Sequence, residues 1–168
     1  MLAITILLVG ILSRFIFHVP NFTPVLALAF FSGLYVNKKW SLLLPLALFI
    51  LSDLFLGLHS TILFTWGSVL IIACIGLRMR GRQNMTLTMG GSLLSAVIFF
   101  VVTNFGVWLM FNTYAPTWAG LVQCYMMAIP FFRSTLAGTL VYTVVLVGLY
   151  EIIARRVKTT RFATVLLS

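Results

Sequence analysis

The chemistry open to this chain rests on a handful of residues. It has two acids, Asp53 and Glu151, two histidines, His18 and His59, and eleven basic residues, for a formal charge of +9. Asp53 lies in the apolar run Leu51-Ser52-Asp53-Leu54-Phe55-Leu56-Gly57-Leu58-His59. An ionised aspartate inside such a segment costs about 2.5–3.5 kcal/mol on insertion scales, so it is expected to face a partner or a wet cavity. Arg14, Arg133 and His59 are the basic candidates for that partner. Asn104 can orient a ligand by hydrogen bonds, and Trp108 and Tyr125 can stack on a flat ring. The expected ligand-binding set is therefore Asp53, His59, Asn104, Trp108, Tyr125 and Arg133, a few polar groups among aromatic walls, as small-molecule sites usually are.

Other chemistries have less to draw on. Two histidines, one aspartate and a cysteine are suitable metal ligands in type but show no metal-ligand spacing, so no metal is expected. Cys74 and Cys124 lie in separate apolar segments, and two such positions do not argue a disulfide. Only one of the two acids lies away from the basic clusters, which leaves no carboxylate pair for hydrolysis. No G-x-S-x-G, H-E-x-x-H or P-loop string occurs. The expectation is a protein that is not an enzyme and carries no cofactor. The basic residues fall in short clusters between apolar runs, the pattern of cytoplasmic loops and not of a nucleic-acid surface.

The elements that must position these residues are apolar helices. Hydrophobic residues make up 62% of the chain and charged ones 8%, against about a quarter charged in a soluble domain. A water-facing surface cannot be built from so few charges, and the lipid bilayer is the expected solvent. The sequence predicts an all-α membrane protein, one domain over 1–168, with six spans at about 2–17, 22–36, 41–57, 61–77, 85–111 and 131–153. The first segment opens without a basic residue and has no A-x-A site before Pro20, so it is expected to be retained as a span. Residues 112–120 read as a loop, with 112–125 a candidate lid. Residues 121–129 read as a short extra helix on the outer side, or a re-entrant piece, ended by Pro130.

Alternate loops and the tail hold Lys38, Lys39, Arg78, Arg80, Arg82, Arg155, Arg156, Lys158 and Arg161, whereas the other side has Arg14 and Arg133. The positive-inside rule then puts both ends of the chain in the cytoplasm. With that orientation Arg14, His18, Asn21, Asp53, His59, Asn104, Trp108 and Arg133 gather near the outer ends of the spans, flanked by Tyr114, Trp118, Gln123, Cys124 and Tyr125. Either a structural Asp–Arg pair or a cavity open to the outside accounts for the cluster. Glu151 precedes Arg155 by one helical turn and is expected to pair with it on the helix surface. The small-residue pairs Ala29/Gly33, Gly91/Ser95 and Ser134/Gly138 are expected to pack helices within one bundle.

Several strings also carry a resemblance: Pro20-Asn21-Phe22-Thr23-Pro24 with Ala27-Leu28-Ala29, the Leu51–Gly57 run, Thr103-Asn104-Phe105-Gly106-Val107-Trp108, and Ala128-Ile129-Pro130-Phe131-Phe132-Arg133. Over about residues 14–150 the chain resembles a largely uncharacterised bacterial family of small polytopic membrane proteins. That family is similar to the substrate-binding (S) components of energy-coupling-factor transporters. The resemblance implies a bacterial cytoplasmic (inner) membrane protein holding a vitamin-like micronutrient in an outward pocket. A transmembrane scaffold and cytoplasmic ATPases would be its partners. Two positions depart from that pattern: the first span has only Ala3 where an A-x-x-x-A pair is common, and Thr139 stands where an acid is expected. The rival expectation is a structural or accessory subunit of a larger membrane complex.

Overall fold

Helices form where the apolar runs lie and stop where proline, glycine, asparagine or basic clusters interrupt them. The computed structural model describes residues 1–15, 20–82, 84–160 and 163–166, and these contain seven helices and no strand. They are α1 (Leu2–Ser13), α2 (Val25–Tyr35), α3 (Leu43–Leu56), α4 (Ile62–Met79), α5 (Met85–Met110), α6 (Trp118–Val157) and the single turn α7 (Ala163–Leu166). Between α1 and α2, Asn21 takes φ of 59°, a left-handed conformation that asparagine adopts more readily than most side chains. Gly57, at φ 110°, ends α3. Asn84 caps α5 by accepting from the Leu87 amide at 2.8 Å, and Thr117 caps α6 by accepting from the Gly120 amide at 3.2 Å, which satisfies donors that a helix start leaves unpaired.

The six main helices are not equivalent. At 1.5 Å per residue, α4, α5 and α6 extend about 27, 39 and 60 Å, and α1, α2 and α3 only about 17 to 21 Å. Three helices are thus long and apolar enough to cross a membrane, and three are apolar but shorter. The shortest, α2, is the centre of the fold: ten of its eleven residues are buried. It packs most extensively on α4 and touches α1, α3, α5 and α6 as well. Ala27, Leu28 and Phe31 face α1 and the second half of α6, while Leu26, Phe30 and Leu34 join Val69 and Ile72 of α4.

Close approach of α2 and α4 depends on two glycines. A Cβ on Gly33 would lie 2.2 Å from the Ala73 carbonyl oxygen, and one on Gly76 would lie 2.3 Å from that of Phe30. Gly91 abuts the Phe30 ring and Gly138 abuts Phe22. The small-residue positions are therefore filled from within the bundle.

One element differs from the sequence expectation. The separate short helix over 121–129 does not exist, because α6 is a single 40-residue helix that runs through Pro130. A proline inside a helix removes one hydrogen bond and costs about 3 kcal/mol in water. Helical apolar sequence continues on both sides of the proline, and helices in lipid tolerate the missing hydrogen bond where neighbouring groups can re-satisfy the freed carbonyl. The loop between α5 and α6 shrinks accordingly to residues 111–117.

At one end of the bundle, the basic end, the Met1 amino nitrogen lies 3.3 Å from the Leu166 carbonyl oxygen. There Arg80 donates to the Gly33 carbonyl at 2.8 and 3.2 Å, and to that of Val36, closing the end of α2. Burial lowers the Arg80 pKa from its ordinary value, and the neighbouring Tyr150 opposes that shift. Glu151 accepts a hydrogen bond from the Tyr35 hydroxyl at 2.9 Å. Its expected ion pair with Arg155 is not made among the described residues; the partner the carboxylate has is the tyrosine of α2.

Candidate functional site

The opposite end of the bundle is built around Asp53. Its side chain is 2% exposed and pairs with Arg14 at 2.8 Å, while the Arg14 side chain is 18% exposed. The indole N–H of Trp66 on α4 donates to the other carboxylate oxygen at 3.0 Å. Arg14 also donates to the Ser52 hydroxyl, and its guanidinium lies 4.6 Å from the centroid of the Phe49 ring. Three helices are locked together by this network: Arg14, the residue that follows α1, brings the cation, α3 the acid, and α4 a neutral donor. The charges cancel internally, so the site presents the outer edge of a guanidinium without a net charge.

Above this network opens a cavity of about 310 Å³. Arg14, Asn21, His59, Thr61 and Thr65 form its polar wall, and Phe49 and Phe99 part of its apolar one. The His59 ring nitrogen Nδ1 lies 3.0 Å from the Thr61 hydroxyl, which fixes the imidazole over the start of α4. A second cavity of about 270 Å³ adjoins it through Asn21, Phe99, Thr103 and Thr135, and runs between α5 and α6 to Asn104, Phe100, Phe131 and Phe132. Together they make a bent space lined by hydroxyl, amide, imidazole and guanidinium groups and by phenyl rings. It suits hydrogen bonding to a flat, polar, uncharged molecule.

The six residues expected from the sequence divide between this space and its surroundings. His59 and Asn104 line it. The Asn104 amide nitrogen donates to the Phe100 carbonyl one turn back at 2.8 Å. Asp53 lies beneath the cavity as the partner of Arg14. Tyr125 donates its hydroxyl to the Val101 carbonyl at 2.7 Å and packs edge-on against Phe100, behind the cavity wall. Trp108 donates to the Ala115 carbonyl at 3.0 Å and pins the outer loop to the end of α5. Arg133 is exposed and makes no ion pair among the described residues.

The loop meant as a lid instead folds onto α5 and the start of α6, where Trp108, Pro116 and Trp118 line a separate pocket. Cys124 is buried, with its thiol 3.5 Å from the Asn104 carbonyl oxygen. His18 lies outside the described residues.

Residues not singled out from the sequence supply much of the lining: Thr61, Thr65, Thr103, Thr135, Phe49 and Phe99. A signal for some of them was present. Thr61 and Thr65 stand one turn apart, as do Phe99 and Thr103, and Thr135, Thr139 and Thr143 form a row at the same spacing. The row continues below the cavity, where the Ser92 and Thr143 hydroxyls lie 2.9 Å apart in the buried contact of α5 with α6.

The chain belongs to DUF6580, a family of unknown function whose model matches residues 1–161. No curated protein and no solved structure matches it.

Proposed function

We propose that this DUF6580 chain is the substrate-binding membrane component of a micronutrient-uptake system in a bacterial cytoplasmic membrane, holding its ligand in the bent cavity above Arg14 and Asp53. The observation that carries this reading is the composition of that cavity. A charge pair balanced within the protein underlies a wall of neutral donors and acceptors, faced by phenyl rings. The fitting ligand class is a small, uncharged, ring-bearing polar molecule, as vitamins and their precursors often are. Likeness to the S components of energy-coupling-factor transporters adds a scaffold and ATPases as the source of turnover.

The same reading has six spans with both chain ends in the cytoplasm. Nine of the eleven basic residues fall in the loops and tail of one side, and Met1 and Leu166 lie together at that end, which an even number of crossings requires. The short helices α1 to α3 cross with the bilayer thinned around them or with flanking segments filling the gap. In a background lacking Cys74 and Cys124, a cysteine at Gly81 should resist an impermeant maleimide in intact cells; labelling from outside sinks the six-span topology.

Purified protein screened by thermal shift against water-soluble vitamins and precursors should be stabilised by one of them. Asn104→Ala and His59→Ala should each weaken that binding about tenfold, the equivalent of one hydrogen bond of about 1.4 kcal/mol. A second reading, an accessory subunit of a larger membrane complex, draws on Trp118, Val122 and Met126. These form an exposed stripe at one-turn spacing on the first part of α6, at 82, 56 and 61% exposure. Co-purification from native membranes separates the two: a scaffold with ATPases supports uptake, and another assembly supports the accessory role.

A further inference from the structure

The largest cavity described in the molecule is at the basic end, away from the site above. It measures about 380 Å³ and lies between α2, the start of α5 and the last third of α6. Its polar groups include the Glu151 carboxylate, the Arg155 guanidinium, the Asn84 amide and the Tyr35 hydroxyl, with Thr88 and Thr143 beside them, and Met89 and Val147 supply part of its apolar wall. Glu151 and Arg155 are one turn apart on α6, a spacing of about 5–6 Å between Cβ atoms that ordinarily lets opposite charges meet. They make no ion pair among the described residues, and the Tyr35 hydroxyl donates to the carboxylate at 2.9 Å. Both charged groups line the same cavity without direct contact between them.

We propose that this cavity binds a zwitterionic headgroup, an ammonium linked to a phosphate, as carried by phosphatidylethanolamine. Glu151 takes the ammonium; Arg155 and the Asn84 amide take the phosphate. A carboxylate alone would suit a simple amine, and an arginine alone an anion. The two held apart on one turn select a ligand carrying both charges at a matching separation. The lipid is favoured as the source because Met85 and Val144 line the cavity yet are 66 and 42% exposed. The wall thus continues onto the outside of the bundle, where acyl chains lie. This proposal does not depend on the vitamin-like ligand of the opposite cavity.

Native mass spectrometry of the detergent-purified full chain, offered phosphatidylethanolamine or phosphatidylglycerol, is the test. Wild type should retain phosphatidylethanolamine about tenfold better, the worth of one charge-assisted contact. Glu151→Gln, which keeps shape and loses charge, should erase the preference. Gly148 lines the same cavity, and a Cβ there meets no atom within 4 Å, so Gly148→Phe should fill the space and abolish retention while the fold persists. Equal retention of the two lipids by wild type, or an unchanged preference in Glu151→Gln, overturns the proposal. Soluble competitors separate headgroup from chain. Displacement by phosphoethanolamine and not by glycerol phosphate supports recognition of the zwitterion, and equal displacement by both overturns it. Asn104→Ala should leave the lipid preference intact, so failure of the outer site and failure of this one are read separately.

Discussion

Asp53 and Glu151 sit toward opposite ends of the bundle, and the protein treats its two carboxylates in different ways. Asp53 is enclosed: an arginine neutralises it, an indole saturates its second oxygen, and the surrounding helices exclude water. Glu151 is half-buried, held by one neutral hydroxyl, and lines a cavity. An enclosed pair is committed to holding helices together, because each charge is compensated only while the other is present. A carboxylate held by a tyrosine keeps its charge for something else. The same residue class thus acts as a tie at one end and as an open contact at the other.

That contrast orders what substitutions should do to thermal stability in detergent. Asp53→Asn should cost most, about 3–5 kcal/mol, since it leaves the Arg14 guanidinium uncompensated beside the Phe49 ring. The double change Asp53→Leu with Arg14→Met should recover most of that loss, because removing both charges removes the desolvation cost with them. A double variant as unstable as Asp53→Asn would show that the pair contributes more than mutual neutralisation. Trp66→Phe should come next, at about 1.5–3 kcal/mol, the worth of a hydrogen bond to a charged group.

At the basic end the expected losses are smaller. Tyr35→Phe should cost about 1 kcal/mol, a neutral donor removed from an acceptor that a cavity can still hydrate. Glu151→Gln should change stability least, within about 0.5 kcal/mol, since the amide oxygen still accepts from Tyr35. A loss at Glu151 equal to that at Asp53 would erase the distinction between tie and open contact.

The course of the chain was largely legible in the sequence, because unbroken apolar runs leave little alternative to helices and the Pro20–Pro24 and 37–42 breaks are strongly marked. The α5 expectation, 85–111, lies within one residue of the observed helix. Pro130 misled, since the rule that ends a helix at proline is calibrated on helices in water. The Asp53–Arg14 pair could be anticipated from cost alone: a lone acid in an apolar run needs a cation, and Arg14 was one of three candidates. Which one could not be read, because that depends on how far the end of α1 lies from α3. For the same reason Trp108 and Tyr125, chosen by residue type, turned out to hold backbone carbonyls, while Thr61, Thr65 and Thr135, modest in type, line the cavity. Burial of α2 was likewise hidden, since a central helix and a lipid-facing one have the same composition.

The long helix α6 has a mechanical consequence. Phe131, Phe132 and Thr135 wall the cavity near one face of the bundle, and Thr143, Val147 and Glu151 wall the cavity near the other. Between them Gly138 and Thr139 are buried against their neighbours. A rod clamped at its middle is a seesaw. A tilt of α6 about that clamp would widen one chamber by the motion that narrows the other, with a single helix backbone and no relay of side chains joining the two.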